Sequence, residues 1–373
     1  MHFYLTYNDA ASGIYSSQVI DVVKFFNNEL KINIKLVAFI SIRNFLANRK
    51  KIKSELSQAI VLPMFPGVHR WQLNSYLLQL LIAIYKPHTI IGRSVFATQL
   101  ALIAIQKNKV KKVVYDGRAA VKAEWEEYNV ITNQDLLSSI FELEKQCVLQ
   151  SDYRIAVSNS LVSYWQTQFN YNGSQHSVIP CTLNSLFESV TINQEIISEK
   201  RSLLRFETND VIFVYSGSLA GWQSINVMVN FIKTILLQSK QHKILFLSEQ
   251  DVIIQQLQTK FPNQVQCKKV MPNEVPHYLL ACDYGLLIRE KSITNKVASP
   301  VKFAEYLACG LDVIISEELG DYSEFVKQNN CGFVYNEIGQ VQPISLQKKI
   351  INQQLTYSFF TKNTFKEHYS QLI

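Results

Sequence analysis

Short apolar runs alternate with longer stretches of mixed polarity along the whole chain. Seven runs in the first half have the length of β-strands, at residues 3–7, 34–40, 59–64, 89–92, 112–115, 154–157 and 177–179. Apolar strands that alternate with helical stretches are typical of βαβ units on a parallel sheet. A second set of apolar runs follows at residues 211–215, 243–247, 266–268, 283–288 and 311–316. The pattern therefore predicts an α/β chain.

A polar connection at residues 184–193 separates the two sets of alternating elements. The chain has 373 residues, which is long enough for two domains that each bury a core of their own. We therefore predict one domain over residues 1–187 and a second over residues 194–355. The aromatic and polar tail, residues 356–373, is predicted to form a final helix.

Composition narrows the class of protein. With 47% hydrophobic and 18% charged residues the chain is typical of globular proteins, and it has no 18-residue apolar window that predicts a spanning helix. The first seven residues have the character of a strand, not of a signal peptide. Six cysteines are scattered without a Cys-x-x-Cys pair, which indicates buried thiols in a reducing cytoplasm and neither a disulfide framework nor a zinc site.

The charge is distributed unevenly. Residues 1–185 hold 19 Lys and Arg against 12 Asp and Glu, while the rest of the chain holds 18 of each. A basic half predicts an anionic partner, either a membrane surface or a phosphate-bearing acceptor, although solvated surface charge is an alternative. Nucleic acid is not predicted, because no basic and aromatic RNA-binding pattern occurs. The apolar stretch 71–85, between Arg70 and Lys86, fits either a core helix or a helix at an anionic lipid interface.

Candidate chemistry is densest in the stretch that runs from Ala298 to Gly310, directly after an apolar strand and a polar loop. Pro300 suits the first turn of a helix, Ser299 suits its N-cap, and Gly310 suits its end. A helix N-terminus offers unpaired N–H groups and a partial positive charge, which attract an anion such as phosphate. An ordinary capped helix is the alternative.

Three charged residues accompany this helix start. Arg289 at the strand end and Lys302 in the first helical turn would add full positive charges beside the N–H groups. Glu305 lies one turn deeper on the same face, where it could accept hydrogen bonds from sugar hydroxyls next to a phosphate. A solvated pair of Lys302 and Glu305 is the alternative.

Two further segments of the second half could contact a ligand. The stretch 216–223, with Ser216, Gly217 and Ser218, follows a strand and brings the backbone close enough for a pyrophosphate or a sugar. The proline-bearing loop 270–278, which contains Met271, could hold a base through backbone groups.

Two loops of the first half also follow strands. Gly13 and Tyr15 lie at a turn into a helix that could present N–H groups, although this turn is not a Gly-x-Gly-x-x-Gly fingerprint. Asp116 could act as a base or bind a hydroxyl, and Arg118 could bind phosphate, with Glu124 further on. A local pair of Asp116 and Arg118 that only shapes the turn is equally compatible with the sequence.

These motifs resemble those of the GT-B glycosyltransferases, specifically glycosyltransferase family 4, whose members build bacterial capsule, lipopolysaccharide and related glycans. The resemblance is strong over residues 210–335 and architectural before them. It rests on residues 215–219, 282–287 and 299–310, on Gly320-Asp321 and on residues 331–334.

The resemblance implies two Rossmann-like domains facing across a cleft, with the tail 356–373 returning to the first domain. It implies a nucleotide-sugar donor, with UDP as the commonest carrier, held by Gly13, Ser216, Gly217, Ser218, Met271, Ser299, Pro300, Lys302 and Glu305. The acceptor, a glycan or a lipid-linked saccharide, would contact Tyr15, Arg118 and Glu124. Catalysis would rest on Arg289 and Lys302, which neutralise the diphosphate, and on Asp116 as a base if the reaction inverts.

The implied enzyme is a retaining hexosyltransferase without a cofactor, and without a metal because no Asp-x-Asp motif occurs. It would work in the cytoplasm or at the inner face of the plasma membrane. One departure concerns the donor sugar: the family's Glu-x7-Glu is incomplete, because Val297 stands eight positions before Glu305. A sugar-nucleotide epimerase and a non-catalytic partner of a transferase complex are the alternatives.

Overall fold

The computed structural model describes residues 1–105, 110–131, 133–218, 223–337 and 340–373. The chain forms two compact units. The first comprises Met1–Thr182, Lys296–Ser299 and Phe365–Ile373, and the second comprises Leu183–Asn295 and Pro300–Thr364. Each unit is built on its own parallel sheet.

The first unit contains a sheet of seven parallel strands in the order β3-β2-β1-β4-β5-β6-β7. Its strands carry apolar side chains on both faces, since helices cover both sides of a doubly wound sheet. In β1, for example, every residue from Phe3 to Tyr7 is buried. The strands are β1 (His2–Tyr7), β2 (Ile34–Ser41), β3 (Ile60–Met64), β4 (Thr89–Arg93), β5 (Lys112–Gly117), β6 (Tyr153–Ala156) and β7 (His176–Val178).

Eight α-helices connect these strands. Side-chain caps begin several of them: Ser12 caps α1, Asn133 caps α7 and Ser158 caps α8. A π-helical segment (Ser16–Ile20) joins the first two helices, and a 3-10 segment (Val68–Asn74) precedes the fourth. The helices are α1 (Gly13–Tyr15), α2 (Asp21–Asn28), α3 (Phe45–Glu55), α4 (Ser75–Tyr85), α5 (Ser94–Ile105), α6 (Val121–Tyr128), α7 (Gln134–Gln150) and α8 (Asn159–Phe169).

The second unit contains a sheet of six parallel strands in the order β10-β9-β8-β11-β12-β13. Its strands are β8 (Val211–Ser216), β9 (His242–Leu247), β10 (Val265–Lys268), β11 (Tyr284–Leu287), β12 (Asp312–Ile315) and β13 (Gly332–Val334). The helices that follow along the chain are α9 (Gln194–Leu203), α10 (Ile225–Gln238), α11 (Val252–Lys260), α12 (Val275–Leu279), α13 (Ile293–Lys296), α14 (Val301–Ala308), α15 (Tyr322–Asn329), α16 (Leu346–Phe359) and α17 (Lys366–Gln371). The last of them, α17, belongs to the first unit.

The first six strands of the two sheets follow the same order. In each sheet the second and third strands are laid outward on one side of the first strand, and the fourth strand pairs on the other side of that first strand. Ligands of such sheets bind beyond the carboxyl ends of the strands at this reversal, which lies between β1 and β4 in one unit and between β8 and β11 in the other. The predicted class, α/β with two Rossmann-like domains, is confirmed, and every strand lies within two residues of its predicted position.

The predicted tail, residues 356–373, divides between the units. Residues up to Thr364 belong to the second unit, whereas Phe365–Ile373 belong to the first. There, the ring of Tyr369 on α17 packs against Phe25 and Phe26 of α2, with ring centroids 5.6 and 5.5 Å apart. The first unit ends at Thr182 in the structure, five residues before the predicted boundary at 187.

The stretch 71–85 divides as well. Its first residues form the 3-10 segment, and its remainder forms α4, which buries Leu78 and Ile82 against the core while Tyr76, Leu80 and Ile84 face outward. The interpretation of this stretch as a core helix therefore applies to one face of α4 only. Among the described residues, no helix is long and apolar enough to cross a membrane.

Candidate functional site

Arg289 lies directly beyond β11, next to the strand reversal of the second unit. Its guanidinium donates to Asn295 Oδ1 at 3.3 Å and to Gln223 Oε1 at 3.2 Å. Its backbone is fixed as well, because its N–H donates to Ser316 Oγ at 2.7 Å and the same hydroxyl donates to the Arg289 carbonyl at 2.6 Å. The side chain is therefore buried and held in one orientation before any ligand arrives.

Lys302 reaches the same point from the first turn of α14. Its Nζ lies 3.4 Å from Gln223 Oε1 and 5.0 Å from the centroid of the Tyr215 ring. Two cations thus converge on one amide oxygen, and in the described part of the chain no carboxylate forms an ion pair with Lys302. Burial, and after it the nearby Arg289 charge, lower the pKa of Lys302 to about 7 against the opposing effect of Glu305. An anion placed here would be stabilised by both cations.

The turn after β8 makes room for Lys302. Gly217 has φ of +136°, and a Cβ at this position would lie 2.4 Å from Lys302 Cε and 2.6 Å from Nζ. Any side chain here would therefore displace the lysine. The Ser216 N–H donates to the Tyr306 hydroxyl at 3.0 Å, and the Tyr215 hydroxyl donates to the Ser218 carbonyl. The rest of the predicted glycine turn, residues 219–222, lies outside the described residues.

The start of α14 differs from the prediction by one residue. Pro300, and not Ser299, is the N-cap, with φ −70° and ψ 121°. The Ser299 hydroxyl instead accepts a hydrogen bond from the Cys181 N–H at 2.8 Å within the first unit. Proline provides no capping side chain, and no side-chain hydrogen bond is made from this cap position to the N–H groups that open α14. The Phe303 N–H already donates to the Pro300 carbonyl at 3.1 Å, so the capacity for an anion belongs to the first two N–H groups of the helix, those of Val301 and Lys302.

The end of α14 is as predicted. Gly310 has φ of +80°, and its N–H donates to the Leu307 carbonyl at 2.9 Å. The next N–H, of Leu311, donates to the Tyr306 carbonyl at 3.0 Å, which completes a Schellman motif.

Glu305 lies one turn beyond Lys302 on α14 and is partly exposed. Burial raises the pKa of its carboxyl group to about 7, while Lys302 acts in the opposite direction. In the described part of the chain no side chain donates to this carboxylate. Glu305 is therefore able to accept hydrogen bonds from a ligand hydroxyl near the two cations, as a diol requires.

Sequence reasoning missed Gln223, the residue that links Arg289 to Lys302. Its only sequence signal is its position, at the end of the glycine turn and just before α10. Asn295, which orients Arg289, was also missed, and it lies inside the polar loop between β11 and α14. Neither residue carries charge or belongs to a recognisable motif, so only the folded arrangement shows their role.

Val297 stands eight positions before Glu305, and it belongs to the apolar core of the first unit. Its carbonyl accepts a hydrogen bond from Ser158 Oγ at 2.8 Å. An apolar side chain buried in this way offers no contact to a sugar hydroxyl.

The strand reversal of the first unit holds a different group of charges. Asp116 is completely buried, and its carboxylate pairs with Arg118 Nε at 2.7 Å and Nη2 at 2.9 Å. The Tyr4 hydroxyl donates to it at 2.5 Å, and Arg93 Nη1 lies 3.7 Å away. A carboxylate enclosed by three partners favours the interpretation as a structural pair over a base that faces a substrate. Arg118 is likewise occupied by Asp116.

The remaining predicted residues of the first unit are separate from this group. Gly13 opens α1 in open space, since a Cβ there would meet no atom within 4 Å. The Tyr15 side chain is buried, and its hydroxyl lies 3.0 Å from Thr6 Oγ1. Glu124 lies on α6, where burial and then the Glu127 charge raise its carboxyl pKa. Their contacts with an acceptor stay predictions.

In the second unit, Met271 has an exposed side chain, and its N–H donates to Glu274 Oε2 at 2.9 Å. Its role in holding a base stays a prediction.

Four of the six cysteines are buried, Cys181 and Cys267 are partly exposed, and all six are free thiols. The described residues contain no cluster of three or more His, Cys, Asp or Glu that could hold a metal ion.

Residues 226–367 match the family model of the glucosyltransferase 3-like C-terminal domain. No curated protein sequence matches the chain significantly. Among solved structures, a glycosyltransferase from Rickettsia africae ESF-5 is similar with a TM-score of 0.70 and 14% identity, covering 100% of this chain and 98% of that one.

Two further structures are similar over the whole chain. The lipopolysaccharide outer core galactosyltransferase WaaB aligns with a TM-score of 0.62 and 12% identity, covering 100% of this chain and 99% of that one. A UDP-GlcNAc 2-epimerase from Neisseria meningitidis, bound to UDP-GlcNAc, aligns with a TM-score of 0.56 and 12% identity, covering 100% and 94%. The chain has the GT-B fold. Its C-terminal part carries a glycosyltransferase-type domain, which supports a transferase.

Proposed function

We propose that the protein is a retaining glycosyltransferase of family 4 type that transfers a hexose from a nucleotide-sugar donor, with UDP as the carrier. The acceptor is a glycan or a lipid-linked saccharide of a bacterial surface polysaccharide. The observation that carries this proposal is the pair Arg289 and Lys302, joined through Gln223, with Glu305 one turn away.

The charges of this group fit a nucleoside diphosphate. Two cations beside the uncapped start of α14 can bind the diphosphate and stabilise the negative charge that develops on it as the glycosidic bond breaks. The cations would take the part that a metal ion plays in other transferases. Glu305 would accept hydrogen bonds from the ribose hydroxyls, as acidic residues do in dinucleotide sites.

The first unit supports retention in place of inversion. An inverting reaction requires a base for the acceptor hydroxyl, and the sequence candidate Asp116 is enclosed by Arg118 and Tyr4. In a retaining reaction on one face of the sugar, the leaving diphosphate itself can take the acceptor proton. No protein base is then needed.

The cellular setting follows from the relatives and the charge. The galactosyltransferase among the similar structures acts on lipopolysaccharide outer core, and we extend its setting to this chain: the synthesis of a bacterial surface glycan. An acceptor on a lipid would place the reaction in the cytoplasm, at the inner face of the plasma membrane. The basic first half of the chain suits that surface.

Ligand-induced stabilisation tests the donor. Nucleoside diphosphates and their sugar conjugates would be screened by thermal unfolding, and we expect a uridine member to raise the melting temperature because it binds only the native state. Nucleoside monophosphates are the control, since they lack the second phosphate. A flat response to every diphosphate would contradict the proposal.

Turnover assays distinguish a transferase from an epimerase and from a non-catalytic partner. The donor that binds best would be incubated with and without saccharide acceptors, and the products would be analysed by NMR for linkage and anomer. We expect acceptor-dependent release of the nucleoside diphosphate with retained configuration. An epimerised nucleotide sugar would favour the epimerase, and binding without turnover toward any acceptor would favour the non-catalytic partner.

A further inference from the structure

The side-chain amide of Gln223 lies between the two buried cations of the second unit. Its Oε1 accepts from Arg289 Nη2 at 3.2 Å and from Lys302 Nζ at 3.4 Å. Arginine and lysine side chains only donate, so the atom that faces them is the amide oxygen and not the amide nitrogen. Within the described residues these two contacts are the only hydrogen bonds of the Gln223 side chain. The amide is therefore held by its oxygen alone.

The two cations are held in place by contacts that do not involve Gln223. Arg289 Nη1 donates to Asn295 Oδ1 at 3.3 Å, and the Arg289 backbone is fixed by its own hydrogen bonds. Lys302 Nζ lies 5.0 Å from the centroid of the Tyr215 ring, whose face attracts a cation. Both cations would therefore remain at the site if the amide moved away.

The backbone beside Gln223 is anchored, whereas the side chain is able to turn. Ser224 Oγ accepts a hydrogen bond from the Glu290 N–H at 3.0 Å, which ties the chain next to Gln223 to the loop after β11. A glutamine side chain changes rotamer about its own bonds, so its amide can leave the cations while the backbone stays in place.

The contacts of the amide are also weak ones for a charged donor. Their lengths of 3.2 and 3.4 Å exceed the roughly 2.7–2.9 Å that is typical of hydrogen bonds between two charged groups. A phosphate oxygen carries full negative charge and would approach the same two donors more closely. Competition between a phosphate and the amide therefore favours the phosphate.

We propose that Gln223 Oε1 occupies the position of a donor phosphate oxygen when the site holds no ligand, and that the diphosphate displaces it. The partial negative charge of the amide oxygen reduces the repulsion between Arg289 and Lys302 without neutralising them. When the nucleoside diphosphate leaves, the amide returns to the cations. The inference rests on the proposed function, since it describes how that same site admits and releases its ligand.

The neutral charge of the side chain is decisive in this proposal. Gln223→Glu keeps the length and shape of the side chain but places a carboxylate beside Arg289 and Lys302. The site would then contain its own anion, as Asp116 is for Arg118 at the first strand reversal. Substitutions at this position therefore separate the effect of charge from the effect of shape.

Calorimetric titration with inorganic pyrophosphate tests the proposal on the full chain without a sugar or an acceptor. Gln223→Glu should weaken binding about 100-fold or more, because pyrophosphate must then displace a paired carboxylate. Gln223→Ala should strengthen binding about tenfold, because no hydrogen bond to the cations has to be broken first. The two variants are thus expected to differ from the wild type in opposite directions.

Further variants control for the change in volume and for surface effects. Gln223→Met keeps most of the side-chain volume without the amide oxygen, so it should bind pyrophosphate as Gln223→Ala does. Gln238 is exposed at the other end of α10, about 20 Å along the helix from the end next to Gln223. Gln238→Glu and Gln238→Ala should therefore keep the wild-type affinity.

Thermal unfolding without ligand provides a second measurement that needs no binding. Gln223→Glu should raise the melting temperature, because a carboxylate neutralises cations that are already buried. Gln223→Ala should lower it, because both cations lose a shared acceptor. Unchanged melting temperatures in both variants would contradict the contact between the amide and the cations.

Two results of the titration would overturn the proposal and leave the transferase proposal intact. Weaker pyrophosphate binding by Gln223→Ala and Gln223→Met would show that Gln223 contacts the bound diphosphate. Equal affinity in the wild type and in all Gln223 variants would show that the amide does not compete with it. If pyrophosphate bound neither the wild type nor any variant, the diphosphate site itself would be wrong, and both proposals would fail.

Discussion

The two strand reversals of this protein have the same topology, but their buried charges differ. In the first unit they are paired within the protein, and in the second unit the described residues offer Lys302 no carboxylate partner. In the first unit, Asp116 pairs with Arg118 at 2.7 Å, and Arg93 lies 3.7 Å from Asp116 and 4.0 Å from Asp9, so each cation has a carboxylate nearby. In the second unit, Arg289 and Lys302 meet at the neutral Gln223, and Glu305 stands apart. Buried charge that is balanced within the protein stabilises the fold, whereas buried charge that is left for a ligand binds one. The same sheet can therefore serve either purpose.

The largest effect expected from this comparison is on stability. Asp116→Asn leaves Arg118 without its carboxylate and Arg93 with Asp9 alone, and breaking a buried pair costs about 3–5 kcal/mol. Denaturant unfolding measures the loss. The control is Glu126→Gln, whose ion pair with Lys122 is largely exposed and should change the free energy of unfolding by less than about 1 kcal/mol. Wild-type stability with abolished turnover would instead make Asp116 a catalytic residue and break the comparison.

The next largest effect is expected on the rate of transfer from the donor. Lys302→Ala should lower turnover about 100- to 1000-fold, the loss seen when one donor to a developing negative charge is removed. Stability should not fall, because the removed ammonium is desolvated and lacks a carboxylate partner. Steady-state kinetics and thermal unfolding check both expectations, with Lys240→Ala as a control on an exposed lysine. If Lys302→Ala protein were less stable than the wild type but had unchanged kinetics, the charges at the second strand reversal would have a structural role as well.

The variant Glu305→Ala tests which part of the donor Glu305 contacts. Loss of a hydrogen bond to a charged acceptor costs about 1.5–3 kcal/mol, so affinity for a nucleoside diphosphate should fall about 10- to 100-fold. Inorganic pyrophosphate has no ribose, and its affinity should not fall. Calorimetry with both ligands separates the two outcomes. An equal loss for pyrophosphate would place Glu305 at the phosphates and not at the sugar.

The smallest effect is a pH dependence of binding. The pKa of Lys302 is about 7, and only its protonated form attracts the diphosphate. Affinity should therefore decrease as the pH rises from 6 to 8, by about tenfold if Lys302 alone titrates. The measurement uses a nucleotide sugar, whose diphosphate does not titrate in this range. Because the pKa of Glu305 is also about 7, it is repeated on Glu305→Gln protein, in which the decrease should move to lower pH since the Glu305 charge no longer raises the Lys302 pKa. A profile that persists in a Lys302→Ala and Glu305→Gln double variant would assign the titration to another group.

Much of the fold could be predicted from neighbouring residues alone. Apolar runs such as residues 211–215 form strands because a parallel strand buried on both faces needs apolar side chains throughout. Gly310 ends α14 because its positive φ suits glycine. Arg289 and Lys302 were predictable as well, since a strand end and a first helical turn are local features. Their approach to each other follows from the order of the parallel strands.

Partners far apart in the sequence were decided only by the tertiary structure. The Tyr4 hydroxyl closes the Asp116 cluster from 112 positions away, and Cys181 takes the Ser299 hydroxyl that the sequence assigned to a helix cap. Nothing in the sequence around Gln223 distinguishes it from any other glutamine of the chain. Which face of α4 turns outward was likewise open, because the whole helix is apolar. Local sequence determines what a segment can form, but which polar groups are satisfied and which remain for a ligand depends on packing between distant segments.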